Sequence, residues 1–243
     1  MIELSNIKKG FDGVEVIRGV STKFMAGKTN LVIGASGHGK SVMMKCMVGL
    51  LKIDDGHIFY DNRDFTELDH KEVRLVRREI GMLFQGTALF NSLSVEDNVD
   101  FPLKMFTTLT PAERLERVNF CLERVQMTGS NSKFPGELSG GMKKRVGIAR
   151  AIALNTKYLF CDEPNSGLDP VTSRVIDKLI KDITQEFDIT TVINTHDMKT
   201  VFEIGDKINF IYFGENWWEG TKEELLKSDN KELKDFFAAS YFS

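Results

Sequence analysis

The eight residues from Gly34 to Ser41 constrain the fold of this chain more than any other stretch. They read Gly-Ala-Ser-Gly-His-Gly-Lys-Ser and match the pattern G-x-x-x-x-G-K-[ST] of loops that wrap phosphate groups. Glycines let the backbone of such a loop turn successive N–H groups toward one anion. The following helix adds the partial positive charge of its N-terminus. We therefore predict a phosphate site formed by Gly34, Ala35, Ser36, Gly37, His38, Gly39, Lys40 and Ser41.

The segments on either side of the loop favour this interpretation. Residues 30–34 read as a short buried strand, and residues 42–51 read as a helix. In such a loop Lys40 reaches the β- and γ-phosphates of a nucleotide, and the Ser41 hydroxyl binds Mg²⁺. The alternative is a glycine-rich turn that binds no ligand.

The composition is that of an ordinary globular protein. The chain has 243 residues, 42% of them hydrophobic, which is enough for a sizeable core. The formal net charge of −3 argues against broad nucleic-acid binding. Scattered cysteines without a C-x-x-C pair predict free thiols in a reducing compartment. We expect no signal peptide and no membrane span, so that any spanning helices belong to another chain.

The N-terminal 33 residues predict short β segments separated by glycines. Phe11 lies in the turn-like stretch Gly-Phe-Asp-Gly, where a large apolar side chain is poorly placed for a core. Its ring either stacks on a flat ligand or covers the edge of the sheet.

The middle of the chain changes from strand to helix periodicity. Residues 69–79 predict a solvated helix, for which a nucleic-acid face is the alternative, and residues 80–84 predict a strand that ends in Gln85. From residue 86 to about residue 153 the helical pattern predicts an inserted helical subdomain. Within it, Thr110-Pro-Ala-Glu113 is a capping box that opens a helix.

A second glycine-rich turn precedes the helix predicted from about residue 142 to residue 154. Ser139 is a good N-cap for this helix, and Gly140 and Gly141 form a second anion-binding nest. The turn is either a simple cap or a site for another nucleotide, because one loop already serves the phosphates.

Acidic and basic side chains follow two predicted core strands. Residues 157–161 lead into Asp162 and Glu163, and residues 189–194 lead toward His196. The carboxyl ends of parallel strands form the site edge of an α/β sheet. There Asp162 fits a carboxylate that orients hydrated Mg²⁺, Glu163 fits a group that polarises the attacking water, and His196 fits a donor to a γ-phosphate. The alternative for the acidic pair is a structural cap.

The C-terminal part lies outside this repeating pattern. We expect a strand over 207–213 to finish the sheet, which leaves 216–243 as an extension with a capping box at Thr221. The apolar end of this extension either packs on its own domain or contacts a partner chain.

Five features stand in one order: the phosphate loop, Gln85, Leu-Ser-Gly-Gly at 138–141, Asp162-Glu163, and His196. This order resembles the ATP-binding-cassette (ABC) ATPases over residues 1–215. The resemblance implies an α/β fold with a RecA-like P-loop NTPase core, an N-terminal antiparallel β subdomain and the helical insert at about 86–153. It also implies ATP hydrolysis with Mg²⁺, and a homodimer in which two chains enclose two ATP molecules head to tail.

The resemblance assigns a role to each matching residue. Phe11 stacks on adenine, and Gln85 senses Mg²⁺ and the transporter subunit. Catalysis falls to Glu163 as base, to His196 as switch histidine and to Lys40. The remaining matches are the γ-phosphate contacts of the partner protomer, Ser139, Gly140 and Gly141, the dimer-contact residue Asp169, and the Mg²⁺ ligands Ser41, Gln85 and Asp162. Asn165 and His38 depart from the common pattern, and His38 is expected to tune nucleotide affinity.

A narrower resemblance concerns the cargo. Residues 82–90, residues 98–103 and Met142 after Leu-Ser-Gly-Gly look like the ATPases of the Mla (MCE-linked) phospholipid transport systems. This resemblance implies an MlaE-like permease in the membrane, an MCE-domain partner, and a peripheral position on the cytoplasmic face of the inner membrane. The alternatives are a cassette for another cargo, such as an amino acid, a drug or a cell-division complex, and a soluble cassette protein that acts on nucleic acid or ribosomes.

Overall fold

The computed structural model of the chain describes residues 1–241. Within them, residues 1–77 and those from 190 onward form one compact unit, and residues 78–189 form a second. In chain order, the strands are β1 (Ile2–Phe11), β2 (Val14–Phe24), β3 (Thr29–Ile33), β4 (Asp55–Tyr60), β5 (Arg63–Asp64), β6 (Ile80–Leu83), β7 (Tyr158–Asp162), β8 (Thr190–Asn194), β9 (Lys207–Tyr212) and β10 (Glu215–Gly220). The helices are α1 (Lys40–Met47), α2 (His70–Arg78), α3 (Val95–Phe106), α4 (Pro111–Arg124), α5 (Gly140–Ile152), α6 (Pro170–Glu186), α7 (Met198–Ile204), α8 (Lys222–Lys227) and α9 (Lys231–Tyr241), with a 3-10 turn at Pro135–Glu137.

The N-terminal strands of the first unit form an antiparallel sheet in the order β2-β1-β4-β5. The sequence predicted short β segments separated by glycines, but residues 14–24 form one continuous strand, β2. Gly19 does not break this strand, because its φ of +75° fits a register shift opposite Asn6, whose φ is +49°. A glycine inside a strand therefore marks a bulge here and not a turn.

The buried strand before the phosphate loop is the centre of the other sheet of this unit. β3 is buried along its whole length and pairs in parallel with β8 and with β9. Parallel strands that are covered on both faces are apolar throughout, which explains why Leu31, Val32 and Ile33 follow one another without alternation. The strand, the loop and α1 thus follow in the predicted order.

The sheet does not end at residue 213 as expected from the sequence. β10 pairs with β9 in an antiparallel hairpin, so residues 216–220 belong to the sheet. The turn between them consists of Phe213 and Gly214, with φ of +44° and +84°. Such tight hairpin turns usually contain Asn-Gly or Asp-Gly, so Phe-Gly did not predict one. Residues 242 and 243 of the predicted extension lie outside the described part of the chain.

The second unit contains the helical segment. α3, α4 and α5 all fall within the predicted range of 86–153, and β6 pairs in parallel with β7. Apolar side chains of the three helices are fully buried, among them Val99, Val118 and Val146. Close packing of this kind holds helices together that would be marginal in isolation.

The predicted capping residues are confirmed, although α5 begins at Gly140 and not at about residue 142. The Thr110 hydroxyl accepts a hydrogen bond from the backbone N–H of Glu113, whose carboxylate accepts one from the N–H of Thr110. Thr221 forms the same capping box at α8. Ser139 caps α5 through a hydrogen bond from the N–H of Met142. Capping side chains satisfy backbone donors that the first helical turn leaves unpaired.

Candidate functional site

The backbone of residues 34–41 has the conformation that a phosphate loop needs. Gly37 and Gly39 have φ of +82° and +96°, in the left-handed region that disfavours side chains. A Cβ on Gly34 would lie 2.3 Å from the backbone oxygen of Ile211. The loop therefore packs directly against β9, and its glycines are required both for conformation and for space.

Lys40 carries the positive charge of the loop. It is the first residue of α1 and is buried. Its Nζ donates to the carbonyl oxygens of Gly34 and Ala35 at 2.7 and 3.0 Å. The ammonium group thus lies against the start of the loop, close to the N-terminus of α1. The ammonium charge and the helix N-terminus both favour binding of an anion.

The end of β8 lies beside the start of α1. Asn194 Nδ2 donates to the Ser41 Oγ at 3.1 Å. His196 follows two residues later and is exposed, while the adjacent Thr195 is buried and fixed by a bond from its N–H to the backbone oxygen of Val32. Because β3 and β8 are parallel, their carboxyl ends meet at one edge, which brings Ser41 and the predicted switch histidine to the same side of the unit.

The acidic pair of the second unit lies at the carboxyl end of β7. Asp162 is the last residue of the strand, and Glu163 follows with φ of +47°. This conformation is strained for a residue with a side chain, and such strain concentrates at functional sites. The backbone therefore turns sharply at the residue that the sequence predicts as the catalytic base.

Lys144 holds this turn to the strand end of β6. It is only 3% exposed, and its Nζ donates to the backbone oxygens of Gln85 and Glu163 at 2.6 and 3.3 Å. Loss of hydration lowers the pKa of the Lys144 ammonium, and the nearby carboxylates of Glu163 and Asp162 oppose that shift. Lys144 was not predicted from the sequence, although a lysine on the buried side of an amphipathic helix was a usable indication.

Arg150 of α5 holds the segment that follows β6. The Arg150 guanidinium donates to the carbonyl oxygens of Thr87 and Ala88 at 2.8 and 2.7 Å. Both of these residues have left-handed backbone conformations, with φ of +62° and +49°. Burial lowers the pKa of Arg150.

The side chain of Gln85 is exposed and donates to the Ser166 Oγ at 3.3 Å, so Gln85 lies near the turn that follows Glu163.

The second glycine turn contacts the start of α6. A Cβ on Gly141 would lie 2.5 Å from the Cγ2 of Thr172, so this glycine is needed for close packing. The Thr172 hydroxyl donates to Asp169, which caps α6 and accepts from the N–H groups of Val171 and Thr172. These hydrogen bonds lower the pKa of the Asp169 carboxyl, the bond from the Thr172 hydroxyl most. The structure thus brings Ser139, Gly140, Gly141 and Asp169 together.

Phe11 is at the end of β1, where it precedes the Asp12-Gly13 turn. Its ring is 42% exposed, and the Lys9 Nζ lies 5.3 Å from the ring centroid. The Lys9 ammonium is paired with Asp54 at 2.6 Å, so it is the exposed ring of Phe11 that is suited to stack on a flat ligand.

The predicted magnesium ligands belong to different units. Ser41 is in the first unit, and Gln85 and Asp162 are in the second. Among residues 1–241 the structure contains no cluster of three or more His, Cys, Asp or Glu side chains suited to a metal ion. Hydroxyl, amide and carboxylate oxygens nevertheless match the ligand preference of Mg²⁺, which is usually held by few protein groups plus nucleotide phosphates.

No helix within residues 1–241 combines the length and the apolar character needed to cross a bilayer.

Comparison with known proteins accounts for the order of these features. The model of the ABC transporter family matches residues 17–166. A probable ribonucleotide transport ATP-binding protein, mkl, of Mycobacterium leprae is 37% identical over 235 residues, which are 97% of this chain and 68% of that protein. A methionine import ATP-binding protein, MetN, of Campylobacter jejuni is 37% identical over 258 residues, which are 100% of this chain and 77% of that protein.

A solved structure shows the same fold. The dimeric post-hydrolysis state of the ATP-binding cassette MJ0796, bound to ADP and Pi, superposes with a TM-score of 0.81 at 31% identity and covers 91% of this chain and 98% of that one. The predicted cassette fold, with its antiparallel β subdomain and parallel sheet, is confirmed. This chain belongs to the ABC transporter family and is one of its ATP-hydrolysing cassettes.

Proposed function

We propose that the chain is the ATPase subunit of a membrane transporter, acts as a homodimer on the cytoplasmic face of the inner membrane, and powers phospholipid transport. The observation that supports a dimer is the second glycine turn, at residues 139–141. Ser139, Gly140 and Gly141 open α5 beside the Asp169 cap, whereas the phosphate loop precedes α1. One chain therefore has two glycine-rich helix starts for one nucleotide, and the second is suited to the ATP of a partner copy.

In the proposed reaction, a water oxygen attacks the γ-phosphorus and the bond to the ADP oxygen breaks. Glu163 accepts the proton of that water, and Lys40 and the N–H groups of the loop offset charge on the phosphates. Mg²⁺, held by Ser41, Gln85 and Asp162, would neutralise further phosphate charge. His196 donates a hydrogen bond to the γ-phosphate, and hydrolysis reopens the dimer.

Phospholipid as cargo is supported by the Mla-like segments at 82–90 and 98–103 and by Met142. The partners would be an MlaE-like permease and an MCE-domain protein, with no nucleic acid. Ribonucleotide and methionine are the second candidates, because the names of two relatives carry those cargoes. A permease segment would dock near Gln85 and the helical insert.

Purification of the intact complex from its native membrane tests the proposal. The phospholipid assignment predicts co-purification with a multi-span permease and an MCE-domain protein, and phospholipid retained in the complex after detergent washing. ATPase activity of the reconstituted complex that responds to methionine or a ribonucleotide, without bound lipid, would contradict the cargo but leave the transporter ATPase in place. Isolation with ribosomes or nucleic acid and no membrane protein would contradict both.

A further inference from the structure

The phosphate loop contains a histidine whose ring belongs to an aromatic cluster. The imidazole of His38 stacks on Phe213 with ring centroids 4.5 Å apart and planes inclined by 29°. It also meets the edge of Tyr212 at 5.2 Å, and the rings of Tyr212 and Phe213 lie 4.7 Å apart. Each of the three rings thus contacts the other two. We call His38, Tyr212 and Phe213 the loop-side cluster.

The backbone joins the hairpin to the phosphate loop at the same place. The N–H of Gly214 donates to the carbonyl oxygen of His38 at 3.2 Å. The approach of Ile211 to Gly34 adds a second contact at the other end of the loop. The hairpin of β9 and β10 therefore supports the loop at Gly34 and at His38.

Phe213 is held in an unfavourable conformation at this point. Its φ of +44° lies in the left-handed region, and 58% of its surface is exposed. A bulky residue with positive φ is an outlier that persists only where its surroundings fix it. A small residue would satisfy this turn with less strain, and the stack on His38 is the contact that a small residue would lose.

The C-terminal helix reaches the other side of the hairpin. Trp217 of β10 lies 5.7 Å from Tyr212, and its Nε1 donates to Glu232 of α9 at 3.2 Å. Phe236 of α9 packs on Phe210 at 5.5 Å, two residues before Tyr212 on β9. Contacts therefore run without interruption from α9 through the hairpin to His38.

We propose that His38 is a positioning residue for the nucleotide phosphates, and that α9 braces the hairpin on which His38 rests. The loop binds phosphate through backbone N–H groups, so its affinity depends on how well that backbone is held before the ligand arrives. Stacked rings fix the residue between Gly37 and Gly39, the two most permissive positions nearby. The inference rests on phosphate binding by this loop in the proposed function and not on the cargo.

A double-mutant cycle on the full-length chain tests the role of His38 and of its stack on Phe213. We would measure the Kd of a non-hydrolysable ATP analogue and the kcat at saturating ATP for His38→Ala, Phe213→Ala and the double variant. Each single change is expected to weaken nucleotide affinity about three- to tenfold, as the loss of one aromatic pair predicts. The double variant should be no weaker than the weaker single variant, and in all three variants nucleotide affinity should fall more than kcat.

Conservative variants separate positioning from folding. His38→Phe and Phe213→Tyr keep the stack and should retain wild-type affinity within about twofold. Wild-type affinity in both alanine variants, or losses that add in the double variant, would overturn the role of His38. If an alanine variant does not fold, reduced affinity in the folded His38→Phe and Phe213→Tyr proteins would overturn it as well.

The brace is tested with a matched pair in the C-terminal helices. Phe236→Ala removes the contact with Phe210 and should raise the Kd for nucleotide about two- to fivefold at unchanged kcat. Leu226→Ala, at a residue that is 72% exposed on α8, should change neither value. Equal Kd values in the two variants would overturn the brace. Absence of nucleotide binding in the wild-type chain would instead contradict the proposed function.

Discussion

At the residue scale, the most informative side chain is the buried cation Lys144. Its Nζ donates to the backbone oxygens of Gln85, after β6, and of Glu163, after β7. These bonds link the ends of the two strands at the predicted base, Glu163. Burial of an ammonium group without hydrogen bonds would be strongly unfavourable. The two carbonyl oxygens offset the loss of hydration of Lys144. Lys144 bonds the backbone of Glu163 and not its side chain, so we expect it to position the predicted base.

We predict that Lys144→Met lowers kcat for ATP about tenfold or more while changing the Kd for nucleotide little. The methionine fills similar volume but loses hydrogen bonds of a charged donor, which are worth about 1.5–3 kcal/mol. Lys143→Met is the matched control on the same helix and should keep wild-type kcat. Steady-state kinetics with thermal melts measures both, and equal kcat values in the two variants would contradict the positioning role.

The cysteines allow a pH-dependent prediction. Burial raises the pKa of the Cys46 and Cys121 thiols to about 11 and also raises that of Cys161. Since the unfolded-state value is about 9, these thiols contribute stability that is complete below pH 9 and is lost as the pH rises toward 11. The folded chain should therefore react with iodoacetamide at pH 8 far more slowly than the denatured chain. Fast labelling of all three cysteines in the folded state, followed by mass spectrometry, would contradict this burial.

At the element scale, many of the predicted site residues lie at helix N-termini. The caps Ser139, Asp169 and Thr110 follow from local sequence, because a short polar side chain before an apolar helical stripe satisfies the first backbone donors. Ser139 and Thr110 both cap a helix by accepting a bond from the N–H three residues later, and Thr110 also forms a capping box with Glu113. They differ in predicted function, since only Ser139 belongs to the proposed contact with a partner's ATP.

Substitution of the two caps by alanine should separate stability from function. Ser139→Ala and Thr110→Ala should each reduce the free energy of unfolding by about 1 kcal/mol. Only Ser139→Ala is expected to lower ATP turnover as well. Chemical denaturation and an ATPase assay give the two values, and an equal loss of turnover in both variants would indicate that Ser139 acts as a cap alone.

Local chemistry also explains which elements the sequence analysis predicted. The phosphate loop, the capped helices and the apolar strand β3 each follow from neighbouring residues, and all are present. The hairpin of β9 and β10 depends on the turn Phe213-Gly214, which tertiary contacts with His38 stabilise against its local preference. Lys144 and Asn194 likewise act through partners about 59 and 153 residues away, so spacing along the chain did not identify them.

At the scale of the whole molecule, the C-terminal region is part of its own unit. β10 pairs with β9, and the ring of Phe237 on α9 lies 6.0 Å from that of Phe202 on α7. The described part of the tail therefore packs on its own unit, and a contact with a partner chain stays a prediction. A truncation from Trp217 would remove an edge strand, so loss of assembly in such a variant would not by itself show a partner contact.

We propose that the chain hydrolyses ATP with Glu163 as base in a dimer of identical chains. The most direct measurement compares wild type with Glu163→Gln in Mg²⁺ and ATP, by phosphate release and by light scattering after size exclusion. We expect Glu163→Gln to hydrolyse ATP at least about hundredfold more slowly, to retain ATP and to form a stable dimer. Wild-type turnover by Glu163→Gln, or a monomer that holds ATP, would contradict it.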